Sequence, residues 1–330
     1  MSQTTIITES KESPRTVRLH NGDTFTFTSN IATDLENIPV IDAARIWSDK
    51  IEDRKAVAEE IRIASHEIGF FYLINHGIDQ KYADEAMQQA KRFFALPEQK
   101  KMEVFTGLVP NDEAFNWAYD ASEDPLAEDR TQASVSIWPS DLPGFRESLY
   151  AYHTKLLALS RRLTGIFALA LHLPEEYFDQ YIRQPEAGMR ILHYPEQKHS
   201  ADDQNGIGAH TDVECFTIVI QDSAGGLEVL SKSGAWIKAN PIPGSFVVNI
   251  ADSFMRQTND FFVSTIHRVI NKSGKERYSA PFFFGFDRAK LLEPVLTCVS
   301  DETPMRYPVM TGGEYYKWRT NRQKQTNTHK

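Results

Sequence analysis

Apolar positions divide the chain into two textures. Between about residues 50 and 175 they recur every three or four positions. From Met189 onward they come in short runs and alternations separated by turn residues. The first spacing gives helices with one buried stripe, and the second gives strands whose side chains alternate between faces. IPVID at 38–42 predicts a short buried strand. Val57, Ile61, Ala64 and Ile68 fall at helical spacing around residues 53–67, and GFFYLINH predicts a second strand. Asp79 is placed to cap a helix running to about Ala95, with Pro97 opening the next turn. From Pro143 to about Leu173, a stripe of Leu149, Tyr152, Leu156, Leu159, Leu163, Ile166 and Leu169 predicts a long helix whose apolar face is core.

The remaining segments are less regular. VRLHNGDTFTF at 17–27 alternates around Asn21-Gly22 and predicts a hairpin. Residues 103–142 are rich in Pro, Asp and Glu, with Phe115, Trp117 and Tyr119 interleaved. A long irregular segment of this kind is expected to serve as a lid or binding loop. Beyond Met189, turn residues at Ser223 to Gly226, Ser233-Gly234, Pro241 to Gly244 and Lys272 to Gly274 punctuate an antiparallel all-β region. GEYYKWRT at 313–320 predicts a C-terminal helix, whereas residues 1–15 and 320–330 are polar and expected to be disordered. The chain then divides into a tail with a hairpin (1–35), a mixed helical region (36–142), a long helix with a β core (143–312), and a C-terminal helix and tail (313–330). The two central parts are expected to form one structural domain.

Composition narrows the function classes. At 330 residues, with 41% hydrophobic and 25% charged residues, the chain has the make-up of a soluble globular protein. A formal net charge of −9 and no dense Lys/Arg stripe argue against a nucleic-acid partner. No segment approaches the roughly 20 apolar residues of a membrane helix. The start, MSQTTIITESKESPR, lacks an apolar leader. Only Cys215 and Cys298 are present, which suits a reducing, cytoplasmic setting. Cys215 is expected to be a small buried apolar residue rather than a catalytic one.

Candidate chemistry concentrates in the β region. His210-Thr211-Asp212 lies inside GIGAHTDVECFTIVIQD, and His267 inside STIHRVIN. Side chains two apart on a strand share a face, so His210 and Asp212 can reach one ion, with His267 brought from a distant strand. Two imidazoles and a carboxylate can hold Fe(II) on one face and leave the other open. Zinc accepts the same donors. The other eight histidines lack such a partner at strand spacing. In KERYSAPFFFGF, Arg277 and Ser279 share a strand face, and an arginine fork beside a hydroxyl is a receptor for a small carboxylate. This receptor beside the triad favours iron over zinc. The same alternation places Phe283 with Arg277 and Ser279, and sends Phe282, Phe284 and Phe286 to the opposite face.

These segments, in this order, resemble the 2-oxoglutarate and Fe(II)-dependent dioxygenases of the isopenicillin N synthase-like group. The resemblance spans roughly residues 38–310. Besides the motifs above it includes RFFALPEQKK at 92–101, MRILHYP at 189–195, GGLEVL at 225–230 and GAWIKANPIPGSFVVNIAD at 234–252. It implies a distorted double-stranded β-helix, or jelly roll, packed against the long helix. It implies Fe(II), 2-oxoglutarate and O₂ as cofactor and cosubstrates, with His210, Asp212 and His267 as ligands. Arg277, Ser279 and Tyr194 match the residues that hold the distal carboxylate of 2-oxoglutarate. Leu192 departs from the Asn found in many plant members, so a polar contact there is expected to be absent or replaced by water. Asn249, Asp252, Gly226 and His76 fall in family signatures and are expected to be structural, and Arg190 is expected in a structural ion pair.

The resemblance implies oxidation of an unactivated C–H bond in a small organic molecule, with hydroxylation as the default and desaturation or ring formation as variants. The short divergent loops resemble those of natural-product tailoring enzymes, which suggests secondary metabolism. Candidate substrate contacts are Phe283, Val213, Glu214, Phe115, Trp117 and Tyr119. In the oxidase that names the group, the Arg-x-Ser pair holds the carboxylate of the substrate itself. The pattern alone therefore leaves open a dioxygenase and an oxidase that uses no 2-oxoglutarate. A non-catalytic ligand-binding barrel is the rival of another class, and it would need neither triad nor clamp.

Overall fold

In the computed structural model, which describes residues 15–18, 24–27, 37–104, 113–131, 134, 136–196 and 206–327, the strands form two larger sheets and a separate hairpin. The hairpin pairs β1 (Arg15–Arg18) with β2 (Thr24–Phe27). Its turn at Asn21-Gly22 and the polar residues 1–14 lie outside the described residues. Strand β3 (Val40–Asp42) leads to α1 (Ile51–Glu67), β4 (Phe70–Ile74), α2 (Gln80–Phe94) and α3 (Glu98–Met102). The Asp79 carboxylate caps α2 by accepting the amide of Lys81 at 3.0 Å. After β5 (Glu113–Trp117) comes the 26-residue α4 (Phe145–Ala170).

The β region follows as β6 (Glu186–Tyr194), β7 (Ile207–His210), β8 (Phe216–Gln221), β9 (Leu227–Leu230), β10 (Trp236–Lys238) and β11 (Phe246–Ile250). It continues through α5 (Asp252–Gln257), β12 (His267–Val269), β13 (Arg277–Gly285) and α6 (Gly312–Asn327). The larger sheet runs β3-β4-β11-β8-β13-β6-β5, and the smaller β10-β9-β12-β7. Every pairing is antiparallel except β3 with β4. The architecture is the expected jelly roll.

Strand alternation sorts the larger sheet into two cores. One face, with Phe71, Phe216, Val248, Phe282 and Phe284, packs with the buried stripe of α4. The other, with Phe70, Tyr72, Leu192, Tyr194 and Val247, meets Leu227, Val229 and Val269 of the smaller sheet and fills the barrel. Burying each large apolar side chain contributes about 1.5–3 kcal/mol, so a register slip of one residue would exchange both cores at once. Phe282 and Phe284 are fully buried, while Phe283 between them stays half-buried on the barrel side.

Two sequence expectations need correction. The segment 103–142 is not irregular throughout, because residues 113–117 form the edge strand β5 against β6. The segment 320–330 is not uniformly disordered, since α6 continues to Asn327. Arg, Gln and Lys favour helix even where no apolar stripe marks one. No described helix is long and apolar enough to cross a membrane.

His153 links α4 to the barrel. Its Nε2 donates to the Ala187 carbonyl at 2.8 Å, and its ring meets Phe282 edge-on at 5.0 Å. Burial pushes its pKa down to about 4. In the unfolded chain the imidazole takes up its proton near 6.5. Between pH 6.5 and 4 the unfolded state therefore binds a proton that the folded state refuses. Stability from this residue is full above pH 6.5 and falls as pH drops, by roughly 3 kcal/mol across the window at about 1.4 kcal/mol per unit. We expect His153→Gln, which keeps an N–H donor, to flatten the slope of unfolding free energy against pH between 7 and 5. Denaturant melts on both proteins measure it, and identical slopes would contradict it.

Candidate active site

The site is assembled by one strand pairing. His210 at the end of β7 and His267 at the start of β12 are direct cross-strand partners, which brings their rings to 4.3 Å between centroids. Asp212 lies two residues on, beyond the end of β7 rather than on it. There the Asp212 carbonyl accepts the amide of Asp252 at 3.0 Å, so the chain leaves the sheet and docks on the start of α5. The carboxylate still reaches both rings. Asp212 Oδ1 stands 3.7 Å from Nε2 of His210 and 3.7 Å from Nε2 of His267. Among the described residues this is the group of three His, Cys, Asp or Glu side chains that could hold an ion.

The surroundings orient each donor atom. Nδ1 of His210 faces the Gly208 carbonyl at 2.7 Å, and Nδ1 of His267 faces the Thr265 carbonyl at 3.1 Å. A carbonyl only accepts, so each Nδ1 carries the proton and each Nε2 presents a lone pair. Burial and the neighbouring His267 push the His210 pKa down to about 4, which keeps the ring neutral. Asp212 Oδ2 accepts the Thr217 hydroxyl at 2.5 Å and the Asn249 amide at 2.8 Å, leaving Oδ1 for an ion. Burial alone would raise the Asp212 carboxyl, but the two imidazoles and these donors outweigh it and hold the group below its usual range. The alternation of β8 and β11 turns Thr217 and Asn249 to the barrel side. Asn249, expected to be structural, thus acts on the carboxylate directly.

The second part of the site is a buried positive charge. Arg277 is 1% exposed and Ser279 2%, both on the barrel face of β13. Arg277 donates from Nη1 to Ser279 Oγ at 3.0 Å, from Nη2 to Gln221 Oε1 at 3.4 Å, and from Nε to the Gly225 carbonyl. Gly226, at φ +92°, lets this loop lie close against the chain after β12, since a Cβ there would lie 2.6 Å from the Ile270 carbonyl oxygen. The guanidinium stacks 4.6 Å from the Tyr194 ring, its cross-strand partner on β6. Among the described residues no carboxylate pairs with Arg277. A desolvated guanidinium without a counter-ion is costly, so the arrangement fits an anionic ligand supplied from outside. Leu192, beside Ser279, is apolar and buried in the barrel core.

The proposed substrate residues separate into two groups. Phe283 lies on the barrel face between Thr217 of β8 and Gly188 of β6, next to the residue that holds Asp212. The Arg190 guanidinium lies 5.9 Å from the Phe283 ring and donates to Asn116 Oδ1. Val213 and Glu214 line a cleft with Arg288, Tyr315 and Tyr316 at the far end of β13. Burial and the charge of Glu186 push the Glu214 carboxyl up to about 8. Phe115 and Trp117 take the opposite side. They point from β5 into the helical layer, where Phe115 packs 5.1 Å from Phe93 and 5.2 Å from Phe145. Tyr119 donates to Asp124 Oδ2 at 2.7 Å, and Asp124 is clamped by Arg161. The structure brings none of these three to the triad. Cys215 is fully buried, and burial raises its thiol pKa.

Residues 185–286 match the 2OG-Fe(II) oxygenase superfamily, and residues 38–129 match the N-terminal region described as non-haem dioxygenase in morphine synthesis. The 2-oxoglutarate-Fe(II) type oxidoreductase ppzC of Metarhizium majus is 36% identical over 310 residues, covering 82% of this chain and 83% of its own. Among solved structures, a Neurospora crassa protein in complex with alpha-KG and 5-formyluracil superimposes with a TM-score of 0.78 at 25% identity, covering 87% of this chain and 97% of that one. JOX2 in complex with 2OG, Fe and JA gives 0.73 at 27% identity, covering 86% of this chain and 85% of that one. Sequence, fold and site agree: the chain belongs to the 2-oxoglutarate- and Fe(II)-dependent oxygenases and is an oxidoreductase that uses Fe(II) and 2-oxoglutarate.

Proposed function

We propose that His210, Asp212 and His267 hold the Fe(II), and that Arg277, Ser279 and Tyr194 receive the distal carboxylate of 2-oxoglutarate. We further propose that the enzyme oxidises an unactivated C–H bond of a small organic molecule in secondary metabolism, with hydroxylation as the ordinary outcome. The observation that carries this reading is the buried Arg277, which has no carboxylate partner among the described residues and lies on the barrel face that the triad also faces. With Fe(II) bound, decarboxylation of 2-oxoglutarate to succinate and CO₂ would take up one atom of O₂, and the other would supply an oxidant strong enough for such a bond. The chain's own task is to bind, orient and exclude water. Leu192, Val247 and Phe70 line the barrel with apolar surface, and Phe70 meets the His267 ring edge-on at 5.3 Å. The half-buried Phe283 and the Val213–Glu214 wall supply the substrate side. The test is a screen for succinate release stimulated by candidate small molecules. Turnover without succinate would transfer the reading to an oxidase.

The triad allows a sharp expectation. His210→Ala, Asp212→Ala or His267→Ala should each remove most Fe(II) binding and nearly all activity. Thr217→Val, which removes one donor to Asp212, should weaken metal binding by about 10–100-fold. Anaerobic titration of the apoprotein measures both, and normal stoichiometry in a triad variant would contradict the assignment.

The clamp should discriminate between ligands. Arg277→Lys keeps the charge and loses the two-pronged geometry. Losing one charge-assisted hydrogen bond costs about 1.5–3 kcal/mol, which is on the order of 10–150-fold in affinity. The apparent KM for 2-oxoglutarate should rise by that factor while that of the organic substrate changes little. A rise confined to the organic substrate would assign Arg277 to the substrate instead.

Phe283→Ala should leave metal and 2-oxoglutarate binding nearly intact and uncouple the reaction, so that succinate exceeds oxidised product. A core phenylalanine would instead cost about 3–5 kcal/mol of stability on truncation. The succinate-to-product ratio beside a thermal melt separates the two. A coupled but unstable variant would count against a substrate-facing role.

A further inference from the structure

Thr211, between two residues of the triad, is held from a point 108 residues later in the chain. Arg319 on α6 is 6% exposed. It donates from Nη2 to Thr211 Oγ1 at 3.1 Å and from Nε to Asp252 Oδ2 at 3.0 Å. The Thr211 hydroxyl in turn donates to Asp252 Oδ2 at 3.1 Å, which closes a three-membered ring of hydrogen bonds. Asp252 is fully buried, and its second oxygen accepts the Ser264 hydroxyl at 2.7 Å. No side-chain atom of Arg319, Thr211 or Asp252 is among the buried polar atoms left without a partner.

The backbone is gripped at the same place. The amide of Asp252 donates to the Asp212 carbonyl at 3.0 Å, and that of Ser253 donates to Val213 at 3.0 Å and Glu214 at 3.1 Å. The stretch 211–214 is thus tied to the start of α5 through its carbonyls, and to α6 through the Thr211 side chain. The same α6 presents Tyr315 and Tyr316 to the cleft that Val213 and Glu214 line. A buried ion pair is weak evidence for stability, since desolvation offsets most of its attraction. Its better-attested use is to fix one arrangement among alternatives.

We propose that Arg319 is a positioning residue that sets Asp212 and the adjoining cleft wall in register, acting through Thr211 and Asp252 from the C-terminal helix. This deepens the proposed function and rests on the triad as the metal site. Without Arg319, Thr211 loses a donor, Asp252 keeps a buried charge with no guanidinium, and α6 loses its tie to the triad segment. Asp212 Oδ1 then samples a wider range of positions relative to the two imidazoles.

The test uses full-length protein, Co(II) as a spectroscopic probe, and circular dichroism to verify folding. In wild type, Co(II) should bind with a ligand-field spectrum that His210→Ala abolishes. Loss of that difference would overturn the triad reading itself, separately from the present inference. Arg319→Ala should raise the Co(II) dissociation constant about 10–100-fold and alter the spectrum, with Arg319→Lys in between. Thr211→Val, which keeps the shape and removes the hydroxyl, should produce a shift in the same direction. The double variant should show less than the sum of the two. Trp318→Ala, on the same helix but outside the ring, should leave the spectrum unchanged. If Arg319→Ala does not fold, Thr211→Val carries the test alone. Wild-type Co(II) affinity in folded Arg319→Ala or in Thr211→Val would overturn the proposal. So would an equal loss in Trp318→Ala, which would make α6 a general support rather than a specific tie.

Discussion

The central strands of the larger sheet are buried on both faces, and this constraint governs the rest. A strand covered on one side by helices and on the other by a facing sheet has no solvent side, so each residue's parity assigns it to one core or the other. On β13 that parity sends Phe282 and Phe284 under α4, and Arg277 and Ser279 into the barrel. On β6 it sends Met189 and Ile191 one way, and Leu192 and Tyr194 the other. The barrel interior is apolar enough to make an uncompensated charge expensive, yet it contains a guanidinium. Among the described residues no carboxylate pairs with Arg277, so the site suits an anion supplied from outside.

Charge is managed differently at the triad and at Arg277. At the triad, Asp212 stands against two imidazoles, and two donors occupy one of its oxygens. It stays ionised because the imidazoles and those donors favour the anion more than burial opposes it. At the clamp, Arg277 is supported by a hydroxyl, a side-chain amide and a carbonyl, none of which carries a full negative charge. A small dianion with one end for a metal and the other for an arginine would complement both, and 2-oxoglutarate has that form.

Much of this was legible in the sequence because it follows from a period of two. The common face of Arg277 and Ser279 and the inward turn of Phe283 need only the strand alternation, whereas the pairing of His210 with Asp212 also needs the family resemblance, because Asp212 lies past the end of β7. Other features depend on contacts that spacing does not encode. Residues 113–117 pair with β6 although their flanks are rich in Pro and Asp, so Phe115 and Trp117 were expected at the site and instead pack under the helices. Asp212 leaves β7 because its carbonyl is drawn to the amide of Asp252, and no local pattern announces that. Thr217 and Asn249 were reachable in principle, since both sit at inward positions beside the triad. Arg319 was not, because the polar composition of α6 hides a buried residue among exposed ones.

The central claim is that one cosubstrate bridges the triad and the clamp. Its most direct test is an anaerobic titration of 2-oxoglutarate into Fe(II)-loaded protein, followed by the metal-to-ligand charge-transfer absorption that arises when a 2-oxo acid chelates ferrous iron. The account predicts a saturable band in the wild type. It predicts no band in His267→Ala, and in Arg277→Met a band that needs far more 2-oxoglutarate to reach the same height. A band that saturates at the same concentration with or without Arg277, or no band in iron-loaded wild type, would contradict it.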